Sequence, residues 1–292
     1  MRAGAGLSRR LTAAVTLAGF LGAAYLFADS RGPAAVPAPV AAAPSPVAYH
    51  SDGLSDAYDG FRAEPLTLPT GRGTGTVSVR VTGPAGTATD FQQVHTKQMH
   101  MYVLRDDLSG YQHLHPEVVD GAWTAPVTIT DGGAYRVYLE FVPHGRPAAG
   151  PTGAEPTVLG IPFVIAGDTT MVPVPAPRER ARSGPYTVRR LDGTADLASG
   201  TPAALQFQVL RDGRPAVLEP YLGAYAHLSN FEVRTQGLKH LHPLPADANG
   251  GAPADGVLAF HAAFAERGDK RLFLQFRAGG GVHQVAFTLF TT

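Results

Sequence analysis

The stretch MHMYVLRDDLSGYQHLHP (residues 99–116) places apolar residues at alternate positions on both sides of the segment RDDLSG. Asp, Ser and Gly are favoured in turns, and alternation of this kind is typical of strands. The pattern therefore predicts a β-hairpin. The hairpin carries three histidines, His100, His113 and His115, with the spacing His, twelve residues, His, one residue, His, Pro.

A second stretch, AHLSNFEVRTQGLKHLHP (residues 226–243), has the same spacing in His227, His240 and His242. Three further motifs recur in the same order around the two blocks: GTVSVRVTGPAG with AALQFQVLRDGRP, AYRVYLEF with DKRLFLQF, and LGIPFVIAG with HQVAFTLFTT. Matched motifs in a conserved order are the signature of an internal repeat. The chain is therefore predicted to contain a duplicated domain.

Each copy consists of short alternating segments separated by Gly- and Pro-rich turns, and no window has a convincing amphipathic helical pattern. This predicts an all-β protein with two tandem immunoglobulin-like antiparallel β-sandwich domains, without the Cys–Trp–Cys pattern of antibody domains. The predicted division is a signal or anchor helix (1–28), an Ala/Pro-rich linker (29–55), sandwich 1 (56–168), a second linker (169–184) and sandwich 2 (185–292).

The N-terminus has the features of a membrane-targeting segment. Three arginines precede LTAAVTLAGFLGAAYLF (residues 11–27), an uncharged run of seventeen residues. A run of this length is short for a membrane span and long for the core of a secretory signal. We expect an uncleaved single-pass anchor that keeps the basic end in the cytoplasm and the C-terminal domains outside. A cleaved signal and a secreted protein is the alternative.

Composition excludes several function classes. The chain has no cysteine, which rules out disulfides, cysteine-ligated zinc and iron–sulfur clusters. Its formal net charge is zero, with no compact basic cluster, so we expect no nucleic-acid partner.

Strand geometry predicts that the three histidines of each block converge. Successive strand residues face opposite sides, so His113 and His115 share one face. If the loop has two or four residues, His100 lies opposite His115 and Tyr102 lies opposite His113. In the second block His227 then lies opposite His242, with His240 diagonal to it.

Three converging imidazoles indicate a transition-metal site, one in each domain. Neutral imidazole suits copper and zinc among others, and three protein ligands leave one coordination position open. His95 and His261 are candidate fourth ligands. Met99 and Met101 flank His100 but alternate away from it, so core packing is expected for them. The alternative is that the histidine face is a buried polar core without metal.

No catalytic residue and no organic cofactor is predicted. Neither GxSxG nor a repeated nucleophile is present, and Asp106 and Asp107 are interpreted as solvated turn residues. We expect a non-enzymatic protein that holds or transfers copper or zinc, with the membrane and an extracytoplasmic protein as possible partners. A β-sandwich interaction module with structural histidines is the alternative function.

The two His blocks, with the anchor helix and the Ala/Pro spacer, resemble an uncharacterised family of secreted or membrane-anchored bacterial proteins. The resemblance covers the chain from about Asp59 to the C-terminus, and the second half is also distantly similar to YtkA-like immunoglobulin-type modules. It implies a location outside the cytoplasm and heavy-metal binding, and the residues that match are His100, His113, His115, His227, His240 and His242. It implies no established activity.

Overall fold

The computed structural model describes residues 51–147, 154–241, 243–244 and 252–292. These residues form strands and turns, and none of them belongs to a helix long and apolar enough to cross a membrane. The predicted anchor (1–28) and most of the first predicted linker lie outside the described residues.

The first half of the described chain is an antiparallel β-sandwich. One sheet has the order β1-β2-β3-β8-β7, with β4 also paired to β3, and the other has the order β10-β9-β5-β6. The strands are β1 (Ala57–Tyr58), β2 (Phe61–Thr67), β3 (Gly73–Gly83), β4 (Gly86–Thr87), β5 (His100–Arg105), β6 (Gln112–Leu114), β7 (Glu117–Val119), β8 (Ala122–Ile129), β9 (Gly133–Phe141) and β10 (Thr157–Ile165).

The second half repeats this arrangement. Its sheets have the orders β11-β12-β13-β14, with β17 also paired to β13, and β16-β15-β18-β19. The strands are β11 (Arg180–Ser183), β12 (Tyr186–Arg190), β13 (Ala203–Arg211), β14 (Arg214–Pro215), β15 (Ala226–Glu232), β16 (Leu238–Leu241), β17 (Val257–Ala262), β18 (Gly268–Ala278) and β19 (Gly281–Thr291). The motif pairs found in the sequence fall on β3 and β13, β9 and β18, and β10 and β19, which confirms the duplication.

The predicted hairpin register is also confirmed. Tyr102 pairs with His113 across β5 and β6, and Ser229 pairs with His240 across β15 and β16. Leu108 and Gly110 take the positive φ angles of 62° and 63° that close the first turn. The loop parity is therefore even in both hairpins, and the register of both is the one that the spacing predicts.

Alternation along β5 separates two environments. Met99, Met101 and Val103 are buried inside the first sandwich with Trp123, so the methionines are core residues, as expected. The intervening residues His100 and Tyr102 face outward, away from that core. The second sandwich has its own equivalent core around Leu228, Phe207 and Phe287.

The outward face of β5 and β9 is covered by the second sandwich. A third apolar cluster joins the two halves and consists of Tyr102, Leu104, Leu108, Tyr111, Tyr138, Val158, Phe231, Leu238 and Phe273. Within it the rings of Tyr111 and Phe273 stack with centroids 4.0 Å apart. Apolar aromatic packing of this kind holds the two sandwiches as one compact unit.

Hydrogen bonds cross the same interface. The Tyr111 hydroxyl donates to Ser229 Oγ at 3.0 Å, and the Tyr138 hydroxyl donates to the Gln236 carbonyl at 2.8 Å. In return Gln236 Nε2 donates to the Asp106 carbonyl at 2.8 Å. Hydrogen bonds thus accompany the burial of aromatic rings across the interface.

The described ends of both predicted linkers take part in this packing. The Val158 amide donates to Ser51 Oγ at 2.6 Å, and the Leu238 amide donates to the Asp52 carbonyl at 2.8 Å. Ser51 and Asp52 thus bridge the two sandwiches instead of forming free spacer. At the second linker, β11 already begins at Arg180 and pairs with β12.

One turn residue differs from its prediction. Asp107 is not solvated: it is buried, and its Oδ2 lies 2.5 Å from Arg105 Nη1. Its carboxylate also accepts hydrogen bonds from Ser109 and from the Val172 amide. The carboxylate therefore organises the turn and holds the start of the second linker.

We predict that Phe273→Ala destabilises the protein by about 3–5 kcal/mol, because it removes a buried ring from the interface. Calorimetric unfolding should also separate into two transitions once the sandwiches no longer support each other. Val217→Ala is the control, since Val217 is 85% exposed and surface changes usually stay within about 0.5 kcal/mol. An equal effect of the two variants would contradict the packing of the two faces.

Candidate metal site

Three histidines of the first sandwich lie together at the interface. His100 begins β5, His113 is in β6, and His115 follows it directly. The ring centroid of His100 lies 5.3 Å from that of His113 and 5.1 Å from that of His115. One nitrogen from each ring lies within 4.8 Å of the others. The predicted convergence of this block is therefore present in the structure.

A backbone carbonyl fixes the proton of His100. Its Nε2 lies 3.0 Å from the carbonyl oxygen of Val94, six residues earlier. Val94 and Lys97 close a tight turn by two reciprocal backbone hydrogen bonds, which holds that carbonyl in place. Because a carbonyl only accepts, Nε2 carries the hydrogen and Nδ1 of the neutral ring carries the lone pair.

An amide relay from the second sandwich fixes the proton of His113. The Gln284 amide nitrogen donates to the Tyr111 carbonyl at 3.5 Å. The Gln284 amide oxygen therefore accepts from Gln275 Nε2 at 3.0 Å. The oxygen of Gln275 then faces His113 Nδ1 at 2.8 Å and accepts its hydrogen. In the neutral His113 ring, the lone pair is consequently on Nε2.

These two assignments leave two ring acceptors facing each other. His100 Nδ1 and His113 Nε2 are 3.0 Å apart, and both protons are engaged elsewhere. With these two tautomers, the contact is stable when a shared proton or a cation lies between the nitrogens. Burial first, and then the neighbouring histidines, hold the pKa of His113 well below its usual range, so the shared proton is disfavoured.

His115 supplies a third ring nitrogen. Among the described residues, its buried Nε2 has no hydrogen-bond partner. Burial, followed by the charges of His100 and Lys97, lowers the pKa of His115 to about 3. The ring is therefore neutral over the physiological pH range and keeps a lone pair available.

The histidines predicted elsewhere have different positions. His227 of β15 is 1% exposed, and its ring lies 6.0 Å from that of His113, so it packs beside the first block. His95 lies in the Val94–Lys97 turn with φ 50° and packs edge-on against His227 at 4.9 Å. His240 pairs through its backbone with Ser229, and its side chain, like all of His242, lies outside the described residues.

The prediction for His261 is wrong. His261 is exposed on β17, where it pairs with Ala204 of β13. Strand β17 belongs to the sheet that does not contain His227. The prediction failed because the motif FHAAF shows strand alternation but nothing in it identifies which sheet the strand joins.

Two polar residues of the site were missed from the sequence. Gln275 holds His113, and Glu140 pairs in register with His100 and accepts a 2.6 Å hydrogen bond from Tyr102. The Tyr102 ring in turn stacks on His113 at 4.6 Å. Glu140 and Gln275 could have been identified by aligning the motifs AYRVYLEF and DKRLFLQF, because each motif has a polar residue directly before its final Phe.

The fold and site define a tandem pair of immunoglobulin-like β-sandwiches with a buried histidine cluster where their faces meet. The chain belongs to the family described as a domain of unknown function (DUF8832), whose model matches residues 58–154 and 181–292. This agrees with the resemblance to an uncharacterised family, whereas the likeness to YtkA-like modules stays a prediction. None of the curated proteins matches the sequence significantly.

Solved structures with related folds are distant. Domains 4 and 5 of the S-layer protein SbsC are 11% identical, with 80% of this chain and 98% of that chain covered and a TM-score of 0.24. A chimeric titin Z1Z2 is 11% identical, with coverages of 79% and 96% and a TM-score of 0.22. The fibronectin(III)-like modules of Clostridium thermocellum CbhA are 7% identical, with coverages of 78% and 92% and a TM-score of 0.22.

The lowered pKa values of His113 and His115 predict acid instability of the metal-free protein. An unfolded histidine takes up a proton near pH 6.5, whereas the folded rings stay neutral to much lower pH. The free energy of unfolding should therefore be greatest above pH 6.5. Below that value it should fall by about 1.4 kcal/mol per pH unit for each such histidine.

Urea unfolding in the presence of EDTA, at pH values from 7 to 4, measures this slope. His115→Gln should make it shallower, and His261→Gln should leave it unchanged because that ring is exposed. An unchanged slope in His115→Gln would contradict the neutral state of the buried ring.

Proposed function

We propose that this protein is a membrane-tethered, extracytoplasmic metal-binding protein that holds copper or zinc at His100, His113 and His115. The observation that carries the proposal is the 3.0 Å contact between His100 Nδ1 and His113 Nε2. Both nitrogens bear lone pairs, and burial disfavours a proton between them. A divalent cation satisfies both nitrogens at once.

The spacing of the donors suits such an ion. Zinc–nitrogen bonds of about 2.0–2.1 Å around a tetrahedral ion separate the ligand nitrogens by about 3.3 Å. His100 and His113 are within a few tenths of an ångström of that spacing, and the third nitrogen lies within 4.8 Å. His113 is also held from behind by Gln275, as metal-bound histidines usually are by a second partner.

The donor set selects among metals. All three donors are imidazole nitrogens, and Met99 and Met101 are sealed in the sandwich core. Without thioether ligands, the site favours Zn²⁺ or Cu²⁺ over Cu⁺. The buried carboxylate of Glu140 in the adjacent strand adds negative charge that favours a cation.

The proposed location rests on the N-terminal sequence. The uncharged run of residues 11–27 would anchor the chain, and the Ala/Pro-rich spacer would lift the sandwiches off the membrane. In that position the protein would hold a metal ion or pass it to a transporter or enzyme outside the cytoplasm. The proposed role is binding without catalysis.

Metal analysis of the purified full-length chain tests the binding. We expect stoichiometric copper or zinc in the wild type and loss of at least nine-tenths of it in His113→Ala, which removes a central donor. His261→Ala is the matched control, because this histidine is exposed on the opposite sheet. Trace metal in the wild type, unchanged in the variant, would contradict the proposal.

The second candidate function is a non-enzymatic interaction module in which the histidines are structural. It is supported by His100 and His113, since each has the hydrogen-bond partner that a buried structural histidine needs. The two functions differ in their response to chelation. Structural histidines predict that His113→Ala lowers the melting temperature equally with and without EDTA, whereas metal ligands predict a larger loss without EDTA.

Membrane tethering has its own test. The double variant Leu17→Arg, Leu21→Arg should move the protein from the membrane fraction to the soluble fraction, since each arginine at the centre of a span costs about 2.5–3.5 kcal/mol. Leu17→Ala, Leu21→Ala is the control and should stay with the membrane. Intact-mass measurement of the N-terminus distinguishes an uncleaved anchor from a cleaved signal, and a wild-type protein found only in the soluble fraction would contradict tethering.

A further inference from the structure

We infer that the metal site is shared between the two sandwiches, with His227 of the second sandwich as a fourth ligand and one ion per chain. The inference rests on the proposed function and replaces one ion per domain by a single ion that joins the two domains. It comes from the placement of His227 and its neighbours in the described part of the chain.

His227 lies beside the cluster formed by the first block. Its ring centroid is 6.0 Å from that of His113, and its side chain is almost completely buried. His227 is therefore placed toward the same centre as the donors of the first sandwich.

His227 is anchored in the same way as His100. Its Nε2 lies 2.9 Å from the carbonyl oxygen of Tyr221, again six residues earlier. Tyr221 and Ala224 close a turn by reciprocal backbone hydrogen bonds, as Val94 and Lys97 do in the first sandwich. The carbonyl takes the Nε2 hydrogen, so a neutral His227 has its lone pair on Nδ1.

The two anchoring turns touch each other. A Cβ atom added at Gly223 would lie 3.4 Å from Thr96 Cγ2 and 4.0 Å from the Cα of His95. The carbonyls that hold His100 and His227 therefore belong to turns whose relative position is set by direct packing. Metal-binding histidines are usually oriented by hydrogen-bond partners held in fixed positions in this way.

Adjacent strands of the second sandwich contribute to the same centre. His227 of β15 pairs in register with Gln275 of β18, and Gln275 holds His113 of the first sandwich at 2.8 Å. The second sandwich thus orients His113 through Gln275 and supplies His227 from the neighbouring position on the paired strand. His95 packs edge-on against His227, which makes it a cover for the site and the natural comparison variant.

Histidine-selective ¹⁵N NMR of the full-length wild-type chain in detergent, with and without Zn²⁺, tests the inference without a substitution. We expect one zinc per chain and four metal-bound rings: His100 and His227 through Nδ1, His113 through Nε2, and His115. Assignment uses single His→Gln variants. Two zinc ions per chain, or a His227 ring whose nitrogens do not respond to zinc, would overturn the shared site.

Titration of zinc into variants gives a second measurement. His227→Gln should weaken zinc binding by at least about tenfold, the least expected for loss of a supporting group, while His95→Gln should weaken it less and His261→Gln should leave it unchanged. Wild-type affinity in a folded His227→Gln protein would overturn the shared site and leave the three-histidine function standing. If His227→Gln does not fold, His227→Gly with added imidazole replaces it, and imidazole should restore the affinity. An affinity that imidazole does not change would overturn the role of His227, whereas a wild type that binds no zinc would overturn the proposed function itself.

Discussion

Alternation along the histidine-bearing strands is the constraint on which the rest of the structure depends. In β5 it directs Met101 and Val103 into the first sandwich and leaves His100 and Tyr102 on the outer face. An outer sheet face is usually in contact with water, yet this one is buried because the second sandwich covers it with its own equivalent face. The histidines are consequently part of the domain interface as well as of a hairpin.

Burial then dictates the chemistry of the cluster. A buried imidazole needs partners for its polar atoms, and the outer nitrogens of His100, His113 and His227 find them in Val94, Gln275 and Tyr221. Each of these partners takes the hydrogen of a neutral ring. The inner nitrogens are thereby left as acceptors, and at His100 and His113 they meet at 3.0 Å. The same burial that builds the cluster keeps protons out of it.

Local features could be predicted from the sequence, and contacts between distant segments could not. Given an even loop, the pairing of Tyr102 with His113 and the core position of Met101 follow from alternation within a few residues. The contact of Tyr111 with Ser229 joins residues 118 positions apart, and no spacing encodes it, because an aromatic strand residue suits an interface as well as a core. Gln275 was missed for the same reason, and His261 was misplaced because alternation does not identify a sheet.

Duplication explains how one centre can draw on both domains. When two copies pack through the same face, equivalent residues such as His100 and His227 are both placed at the interface, each anchored to a backbone carbonyl six residues earlier. The copies then differ at neighbouring positions: His95 corresponds to Leu222 in the anchoring turns, and Glu140 corresponds to Gln275 beside the histidines. The Gln275 amide can fix the proton of His113 without adding a charge, whereas the Glu140 carboxylate supplies negative charge that favours a cation. Divergence of these few residues converts a symmetric contact into a single asymmetric site.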